Sequence, residues 1–263
     1  MDQTDSIYAL VSGGSKGIGY AIAEAMARRK YDLVLIGRHE ESLIIAKNKL
    51  ETEYSVHVET LACDVSEEKA VDQIGEWCAK KNIRLKMLCN VAGLGGAKDY
   101  LSLPLDKLRY MVRVNIEAQM ALCLQLLPIL EKNAPSFILN VASSAAFAPI
   151  PIKNLYSATK SAVLFFSYSL RYQLQNKNIS VSCLCPGPVF TKQEIIKETI
   201  EKMGWFGKLM EVSPERVGEI AVRKTLNKRL LIIPGIVAKI TMAFLRLLPR
   251  RLVVFIYHRI GKQ

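Results

Sequence analysis

Short runs of apolar residues alternate with longer amphipathic segments along most of the chain. Seven runs of strand length, most of them apolar throughout, predict buried strands over residues 8–12, 32–37, 56–63, 85–90, 136–141, 179–185 and 230–233. Helical periodicity predicts helices over 17–30, 40–54, 66–81, 106–132 and 155–176, and another that begins at Ser213. Strands that are apolar throughout are typical of parallel sheets with helices on both faces. The alternation therefore predicts an α/β fold with a doubly wound, seven-stranded parallel sheet.

The pattern changes after the last predicted strand. Residues 1–235 contain no linker, low-complexity tract or internal repeat, and they predict a single Rossmann-type domain. Residues 236–263 predict a helical extension of two amphipathic helices, over 236–248 and 252–260, which are broken at Pro249. The uncharged runs of this extension are far shorter than the roughly 18–20 residues that a membrane-spanning helix requires.

The net charge of +12 is concentrated at the end of the chain. Residues 220–263 contain ten lysines and arginines and no acid, whereas the first 219 residues carry 26 bases against 24 acids. A basic, apolar and non-spanning tail fits the surface of an anionic membrane. It fits a subunit interface or a cover over a substrate pocket as well. Its many apolar residues argue against nucleic acid, because a segment that follows phosphates does not need them.

Half of the 263 residues are hydrophobic and 23% are charged, which excludes a disordered or collagen-like chain. The six cysteines form no CxxC pair, and four of them lie in apolar runs. They predict reduced, buried thiols and no metal site. No long apolar stretch precedes Gly13, so we expect no secretory signal and a cytoplasmic protein, in contact with a membrane surface if the tail binds one.

A glycine-rich turn, SGGSKGIG at residues 12–19, follows the first predicted strand and opens the first helix. Glycines permit positive φ and bring backbone N–H groups close to a pyrophosphate at a helix N-terminus. A purely structural turn is the alternative. The dinucleotide interpretation assigns cofactor contacts to Gly13, Gly14, Ser15, Lys16, Gly17, Ile18 and Gly19.

The second predicted strand ends in Ile36-Gly37-Arg38. A cofactor without a 2′-phosphate usually has its ribose held by an acid at the end of this strand. Here two bases, Arg38 and Lys16, stand in place of that acid, and guanidinium grips phosphate with paired donors. The sequence therefore favours NADP(H) over NAD(H), unless Arg38 is only a solvated loop charge.

Ser143 and the segment Tyr156-Ser157-Ala158-Thr159-Lys160 carry the candidate chemistry. A tyrosine and a lysine four residues apart share one face of a helix. A nearby ammonium lowers the pKa of a phenol from about 10 toward the neutral range. A serine at the end of the preceding strand can donate a hydrogen bond to a carbonyl oxygen that gains charge.

Together these motifs resemble the short-chain dehydrogenase/reductase family over about residues 7–235. The resemblance also rests on Cys63-Asp64-Val65, Asn90-Val91-Ala92-Gly93, Asn115, Pro186-Gly187-Pro188-Val189 and Thr191. It implies that Tyr156 is the general acid/base, that Lys160 lowers its pKa and binds the nicotinamide ribose, and that Ser143 polarises the substrate carbonyl. Asn115 would hold a water of the proton relay. Further implied cofactor residues are Asp64, Val65, Asn90, Ala92, Gly93, Pro186, Gly187, Val189 and Thr191.

Two positions depart from the family pattern. Ser12 replaces the usual threonine and keeps the hydroxyl, and Val91 replaces the second asparagine of the usual NNAG. The family also implies a homodimer or a homotetramer.

The substrate is predicted from apolar positions around the catalytic segment: Leu94, Phe147, Ile150 and Ile152. Residues 192–212 predict a helical lid with Met203, Trp205 and Phe206. Apolar walls favour a lipid-like or steroid-like ketone over a sugar, although the lid aromatics would equally serve to pack the lid on the body. The run LVLIGRHEESL more weakly resembles the steroid and long-chain 3-oxoacyl reductase branch.

The sequence thus predicts an NADPH-dependent oxidoreductase that reduces a ketone to an alcohol. Substrate contacts are predicted at Leu94, Ser143, Phe147 and Tyr156. Two alternatives remain open at this point: a non-catalytic dinucleotide-binding sensor or scaffold, and a lipid ketone reductase that lies on a membrane surface through its tail.

Overall fold

A computed structural model describes residues 6–95, 100–187 and 212–260. The predicted lid over 192–212 lies almost entirely outside these residues, as do Val189 and Thr191. Seven strands form one parallel sheet in the order β3-β2-β1-β4-β5-β6-β7. Their bounds are β1 Tyr8–Ser12, β2 Asp32–Gly37, β3 Val58–Ala62, β4 Leu85–Asn90, β5 Ser136–Val141, β6 Ile179–Leu184 and β7 Leu231–Ile232. The predicted strands and the predicted fold class are confirmed.

Ten α-helices connect and extend this sheet in the described residues. Their bounds are α1 Gly17–Ala27, α2 Glu40–Tyr54, α3 Ala70–Lys80, α4 Leu105–Val112, α5 Ala118–Gln125, α6 Leu127–Lys132, α7 Asn154–Gln173, α8 Pro214–Leu226, α9 Ile236–Leu247 and α10 Arg250–Ile260. Helix α8 begins as predicted, with the Ser213 side chain accepting a hydrogen bond from the Arg216 N–H. Helix α3 begins four residues later than predicted, because Asp64 accepts the Ser66 N–H and holds this stretch in a turn.

Two hydrophobic layers cover the two faces of the sheet. One contains residues of α1, α2 and α8 packed on the strands, and the other contains residues of α3, α5, α6 and the end of α7. All six cysteines are free, and five of them are buried. The buried-thiol prediction therefore holds for every cysteine except Cys63, which is partly exposed.

The predicted helical segment over 106–132 is helical nearly throughout, but it is not one regular α-helix. Residues Arg113–Glu117 form one π-helical turn between α4 and α5, and α6 follows as a separate short helix. A π turn is a local change of hydrogen-bond partner from i−4 to i−5, which the positions of apolar residues alone did not reveal. Such turns often occur at functional sites, and Asn115 lies in this one.

The C-terminal extension forms the two helices that the sequence predicts. The second helix begins two residues earlier than predicted, because the Pro249 carbonyl accepts hydrogen bonds from the N–H groups of Leu252 and Val253. Within the described part of the chain, no helix is long and apolar enough to cross a membrane.

Candidate active site

The glycine-rich turn lies between β1 and α1, at the point where the order of strands reverses across the sheet. Gly13 has φ +72°, and a Cβ there would lie 3.0 Å from the backbone of Ala92. At Gly19 a Cβ would come within 2.0 Å of the Gly13 carbonyl oxygen. Side chains are therefore excluded at both positions, and the backbone forms an open cradle of the kind that accepts a pyrophosphate.

Ser12 holds the second wall of this cradle in place. Its buried hydroxyl oxygen accepts hydrogen bonds from the N–H groups of Val91 and Ala92, at 3.1 and 3.2 Å. The hydroxyl that the family pattern requires at this position therefore joins the carboxyl ends of β1 and β4. Val91 contributes its N–H to this link and its side chain to the cleft.

The side chain of Asn90 does not join the cofactor cleft. It is fully buried, and its amide nitrogen donates to Asn140 Oδ1 at 2.9 Å and to the Gln119 carbonyl oxygen at 3.3 Å. Asn140 in turn donates to Ser167 on α7 at 3.0 Å. These hydrogen-bonded amides connect β4 and β5 to α5 and α7 beneath the site. The Asn90 side chain therefore stabilises the packing under the cleft and does not line it.

Ser143, Tyr156 and Lys160 come together at the carboxyl end of β5. Ser143 follows β5, its hydroxyl accepts the Ala145 N–H at 3.1 Å, and it lies within hydrogen-bonding reach of the Tyr156 phenol. Lys160 is buried one helical turn after Tyr156, and its Nζ donates to the Val141 carbonyl oxygen at 2.9 Å. The Nζ atom lies 6.0 Å from the centre of the Tyr156 ring.

Burial dominates the ionisation of this centre. It raises the pKa of the Tyr156 phenol, although the hydrogen bond with Ser143 acts in the opposite direction. Burial also lowers the pKa of the Lys160 ammonium to about 8. The decrease in the tyrosine pKa expected from Lys160 is therefore not found in this arrangement. Tyr156 keeps its proton at neutral pH, which is the form that can donate to a carbonyl oxygen.

Asn115 connects the catalytic helix to the loop after β4. Its side chain accepts the Leu94 N–H at 2.7 Å, and it donates to the Leu94 carbonyl at 3.0 Å and to Thr159 at 3.1 Å. A Cβ at Gly93 would lie 3.2 Å from Lys160 Nζ and 3.4 Å from Asn115 Oδ1. The glycine at this position lets the loop pass close to both polar groups.

The opposite end of the cleft contains a polar chain that the sequence did not reveal. Arg38 donates to the Tyr110 hydroxyl at 2.5 Å, and that hydroxyl donates to Asp64 at 3.1 Å. Burial acts to raise the pKa of Asp64, but hydrogen bonds from Ser66 and Tyr110 and the charge of Arg38 outweigh it, so the pKa is lowered. Tyr110 lies 72 positions from Arg38 in sequence, and only the fold brings the two together.

A cleft of about 480 Å³ extends between these two ends. Thirteen of the predicted cofactor residues line it: Gly13, Ser15, Lys16, Ile18, Gly19, Arg38, Asp64, Val65, Ala92, Gly93, Tyr156, Lys160 and Pro186. Gly14, Gly17, Asn90 and Gly187 do not line it, although Gly14 and Gly17 belong to the glycine-rich turn itself. Lining residues that sequence analysis missed include Tyr110, Val114, Val141 and Ala142.

The predicted substrate residues separate into two places. Leu94 and Tyr156 line the cleft, and Ser143 contacts the phenol. Phe147 and Ile150 instead line a second groove on the other side of the 144–158 segment, between α7 and α10. Phe147 ends a short 3₁₀ turn, Ser144–Phe147, that follows Ser143 directly, and it is buried in a hydrophobic cluster with Val163. Phe147 therefore does not line the described part of the cleft, and its contact with a substrate stays a prediction.

The fold and the motifs of this cleft match known proteins. The sequence profile of the family described as short chain dehydrogenase matches residues 8–201. Very-long-chain 3-oxoacyl-CoA reductase-A of Danio rerio is 32% identical over 200 residues, which are 74% of this chain and 62% of that protein. This chain therefore spans less than two thirds of the length of that relative.

Two solved structures of reductases or dehydrogenases are also similar to this chain. L-sorbose reductase of Gluconobacter frateurii, in complex with NADPH and L-sorbose, is 26% identical, with a TM-score of 0.77 over 88% of this chain and 95% of that chain. A short-chain dehydrogenase of Sphingobium yanoikuyae in complex with NADPH is 25% identical, with a TM-score of 0.78 over 90% and 92% of the two chains.

A doubly wound sheet with a glycine-rich turn at its switch point defines a protein that binds a dinucleotide. The chain belongs to the short-chain dehydrogenase family. The nicotinamide dinucleotide of this family fits the backbone cradle at Gly13 and the cleft that leads from it to Tyr156.

The link at Ser12 predicts a measurable loss on substitution. Ser12→Ala leaves two backbone N–H groups without their acceptor, and we expect the free energy of unfolding to fall by about 1–3 kcal/mol. Cofactor binding should weaken as well, because the loop after β4 loses its anchor. Ser12→Thr keeps the oxygen and serves as the matched control. Denaturant titration of both variants tests this, and equal stability of Ser12→Ala and the parent protein would contradict it.

Proposed function

We propose that this protein reduces a ketone to an alcohol with NADPH and that the ketone is carried by an apolar, lipid-, steroid- or 3-oxoacyl-like substrate. The observation that supports this proposal most strongly is that one cleft has acid–base groups at one end and basic groups at the other. A phenol, a serine hydroxyl and a buried ammonium lie at one end, and two bases lie at the other.

NADP(H) is supported by the charge at the adenosine end. Lys16 and Arg38 both line the cleft and are exposed at its edge. The acid of this region, Asp64, is engaged by the Ser66 N–H and the Tyr110 hydroxyl. Tyr110 also holds one terminal nitrogen of Arg38, so the guanidinium is oriented before a ligand arrives. Oriented donors of this kind suit a 2′-phosphate better than a ribose hydroxyl pair.

The catalytic end supports proton donation to a carbonyl oxygen. The bound nicotinamide supplies the hydride in this chemistry. Tyr156, kept protonated by burial, donates its proton to the substrate oxygen, while Ser143 donates a hydrogen bond to the same oxygen. The Lys160 ammonium then stabilises the phenolate that remains. Asn115 holds the loop at Leu94 and helix α7 at the distances that this exchange requires.

The apolar substrate class is supported by the described wall beside Tyr156, which includes Leu94, Val141, Ala142 and Pro186. Four side chains of this kind offer few hydrogen bonds to a sugar. The Danio rerio relative is named for a very-long-chain 3-oxoacyl-CoA substrate, whereas the Gluconobacter frateurii structure contains L-sorbose. The apolar side chains of this wall favour a long-chain acyl substrate over a sugar.

The function is tested by turnover of a ketone panel. With NADPH, we expect long-chain 3-oxoacyl thioesters or steroid ketones to be reduced faster than L-sorbose. Tyr156→Phe removes only the acidic hydroxyl, so turnover should fall by about three orders of magnitude or more, while NADPH still binds. Tyr168→Phe, a tyrosine on the same helix outside the cleft, is the control. Undiminished turnover of Tyr156→Phe would refute the assignment.

The cofactor preference is tested at Arg38 and Tyr110. Arg38→Asp should weaken NADPH binding by about 10- to 100-fold and should spare NADH, since charge-assisted hydrogen bonds to a phosphate are lost. Tyr110→Phe should lose part of the same preference, because the guanidinium is no longer held. Tyr172→Phe, an exposed tyrosine far along α7, is the control. Fluorescence titration with both cofactors measures these affinities, and equal losses for NADPH and NADH would contradict the proposal.

The lowered pKa of Lys160 predicts a pH dependence of reduction. The ammonium is charged below its pKa of about 8 and loses its proton as the pH rises through that value. The neutral amine no longer stabilises the phenolate, so kcat for reduction should be level at lower pH and fall by about tenfold per pH unit above it. The measurement is kcat against pH at saturating NADPH. A profile that stays level well above pH 8 would show that the charge of Lys160 is not needed.

A further inference from the structure

Helix α9 has two apolar faces. On its inner face, Ala238 and Met242 pack into a cluster that includes Phe147, Val163 and the two cysteines at the end of β6, and Met242 is only 2% exposed. On the other face four large apolar side chains are exposed to solvent, which we call the outer stripe: Ile236 at 74%, Ile240 at 64%, Phe244 at 60% and Leu247 at 84%. A helix that buries one face normally presents polar residues on the opposite one.

The outer stripe is continuous along the helix. At about 100° of rotation per residue, its four positions fall within an arc of about 80°, opposite the buried face. Exposed apolar residues scattered singly need no explanation, but a contiguous row rimmed by charge marks an interaction site. Lys239 lies beside the stripe and is exposed.

Helix α10 follows α9 after Pro249 and carries exposed bases of its own. Its inner side is fixed by Val253, which is fully buried. Its exposed positions include Leu252, Val254 and Phe255 together with Arg250, Arg251 and Arg259. The Arg259 guanidinium lies 5.4 Å from the centre of the Phe255 ring, so charge and apolar surface are interleaved on this helix.

The positive charge of this surface discriminates between three partners: a second copy of the chain, a nucleic acid and a lipid surface. No acid occurs anywhere in residues 220–263, so pairing of this face with its own copy about a two-fold axis would bring arginines against arginines. Nucleic acid would satisfy the bases but would leave the outer stripe in water. An anionic lipid surface satisfies both, because its phosphates meet the bases and its acyl boundary accepts the apolar side chains.

We propose that the outer faces of α9 and α10 dock this protein on an anionic lipid surface. The outer stripe enters the boundary between headgroups and acyl chains, and Lys239, Arg251 and Arg259 contact lipid phosphates. The attachment is peripheral, in keeping with the lack of a spanning helix among the described residues. It does not depend on the proposed ketone reduction.

The docked helix also borders the catalytic cleft. Pro186 lines that cleft, and a Cβ at the next residue, Gly187, would lie 3.7 Å from the Cβ of Ala238 on the inner face of α9. Attachment through the outer stripe therefore places this edge of the active site close to the lipid surface.

The test is sedimentation of the full chain with vesicles of phosphatidylcholine, with or without phosphatidylglycerol. We expect binding to the anionic vesicles, weaker binding at high salt, and little binding to phosphatidylcholine alone. Ile240→Asp should weaken binding at least about tenfold, since burial of one isoleucine side chain is worth more than that factor. Ile45→Asp is the matched control, because Ile45 is 70% exposed on α2, far along the sequence from the tail. It should bind like the parent protein.

A second pair of variants separates charge from apolar contact. The double variant Arg251→Gln, Arg259→Gln should lose most of its salt-dependent binding, whereas Lys80→Gln, Lys132→Gln, which removes two exposed bases of the body, should keep it. Circular dichroism, melting temperature and binding of NADPH establish that every variant is folded.

Three results would overturn the proposal. One is the absence of binding to anionic vesicles at low salt. Another is an Ile240→Asp variant that binds as tightly as Ile45→Asp. The third combines two observations: the parent protein does not bind vesicles, and Ile240→Asp has a different oligomeric mass by light scattering. That result would assign the outer stripe to a subunit interface.

Discussion

The Ser12 hydroxyl joins β1 to the loop after β4 at the one place where the order of strands reverses. The glycine-rich turn and the 91–95 loop diverge from this point and leave the opening of the cleft between them. Their separation is set by backbone contact, since a Cβ at Gly13 would already touch Ala92. The catalytic helix is attached to the same loop through Asn115, so the geometry of the reacting end also depends on this junction.

Burial gives the catalytic end its chemical character. Removing Lys160 from water weakens its hold on a proton, while removing Tyr156 from water strengthens the phenol's hold. In water the two groups hold their protons about equally, whereas here the pKa of the phenol lies above that of the ammonium, so Lys160 loses its proton before Tyr156 does. The lysine is held by the Val141 carbonyl, and the tyrosine is paired with Ser143. Both partners come from the end of β5, so one strand positions the whole centre.

The parts of the fold that follow from local pattern were predictable from the sequence. The central strands are buried on both faces, and Ser213 with Pro214 is a strong helix start. The π turn at Asn115 was not predicted, because it depends on a local change of backbone hydrogen-bond partner that apolar positions do not specify. Tyr110 was missed because it lies on α4, whereas its partners Arg38 and Asp64 lie in the loops after β2 and β3. That Phe147 lines a separate groove was not predictable either, because proximity in sequence to Ser143 does not show which surface a side chain joins.

The central claim is that this cleft transfers hydride from NADPH to a carbonyl carbon. Its most direct test is a single turnover with NADPH that carries deuterium at the transferable C4 position, using a long-chain 3-oxoacyl thioester or a steroid ketone and analysing the product by mass spectrometry. The account predicts one deuterium on the carbinol carbon of the product alcohol. Binding of the labelled cofactor without deuterium in any product of the panel would contradict it.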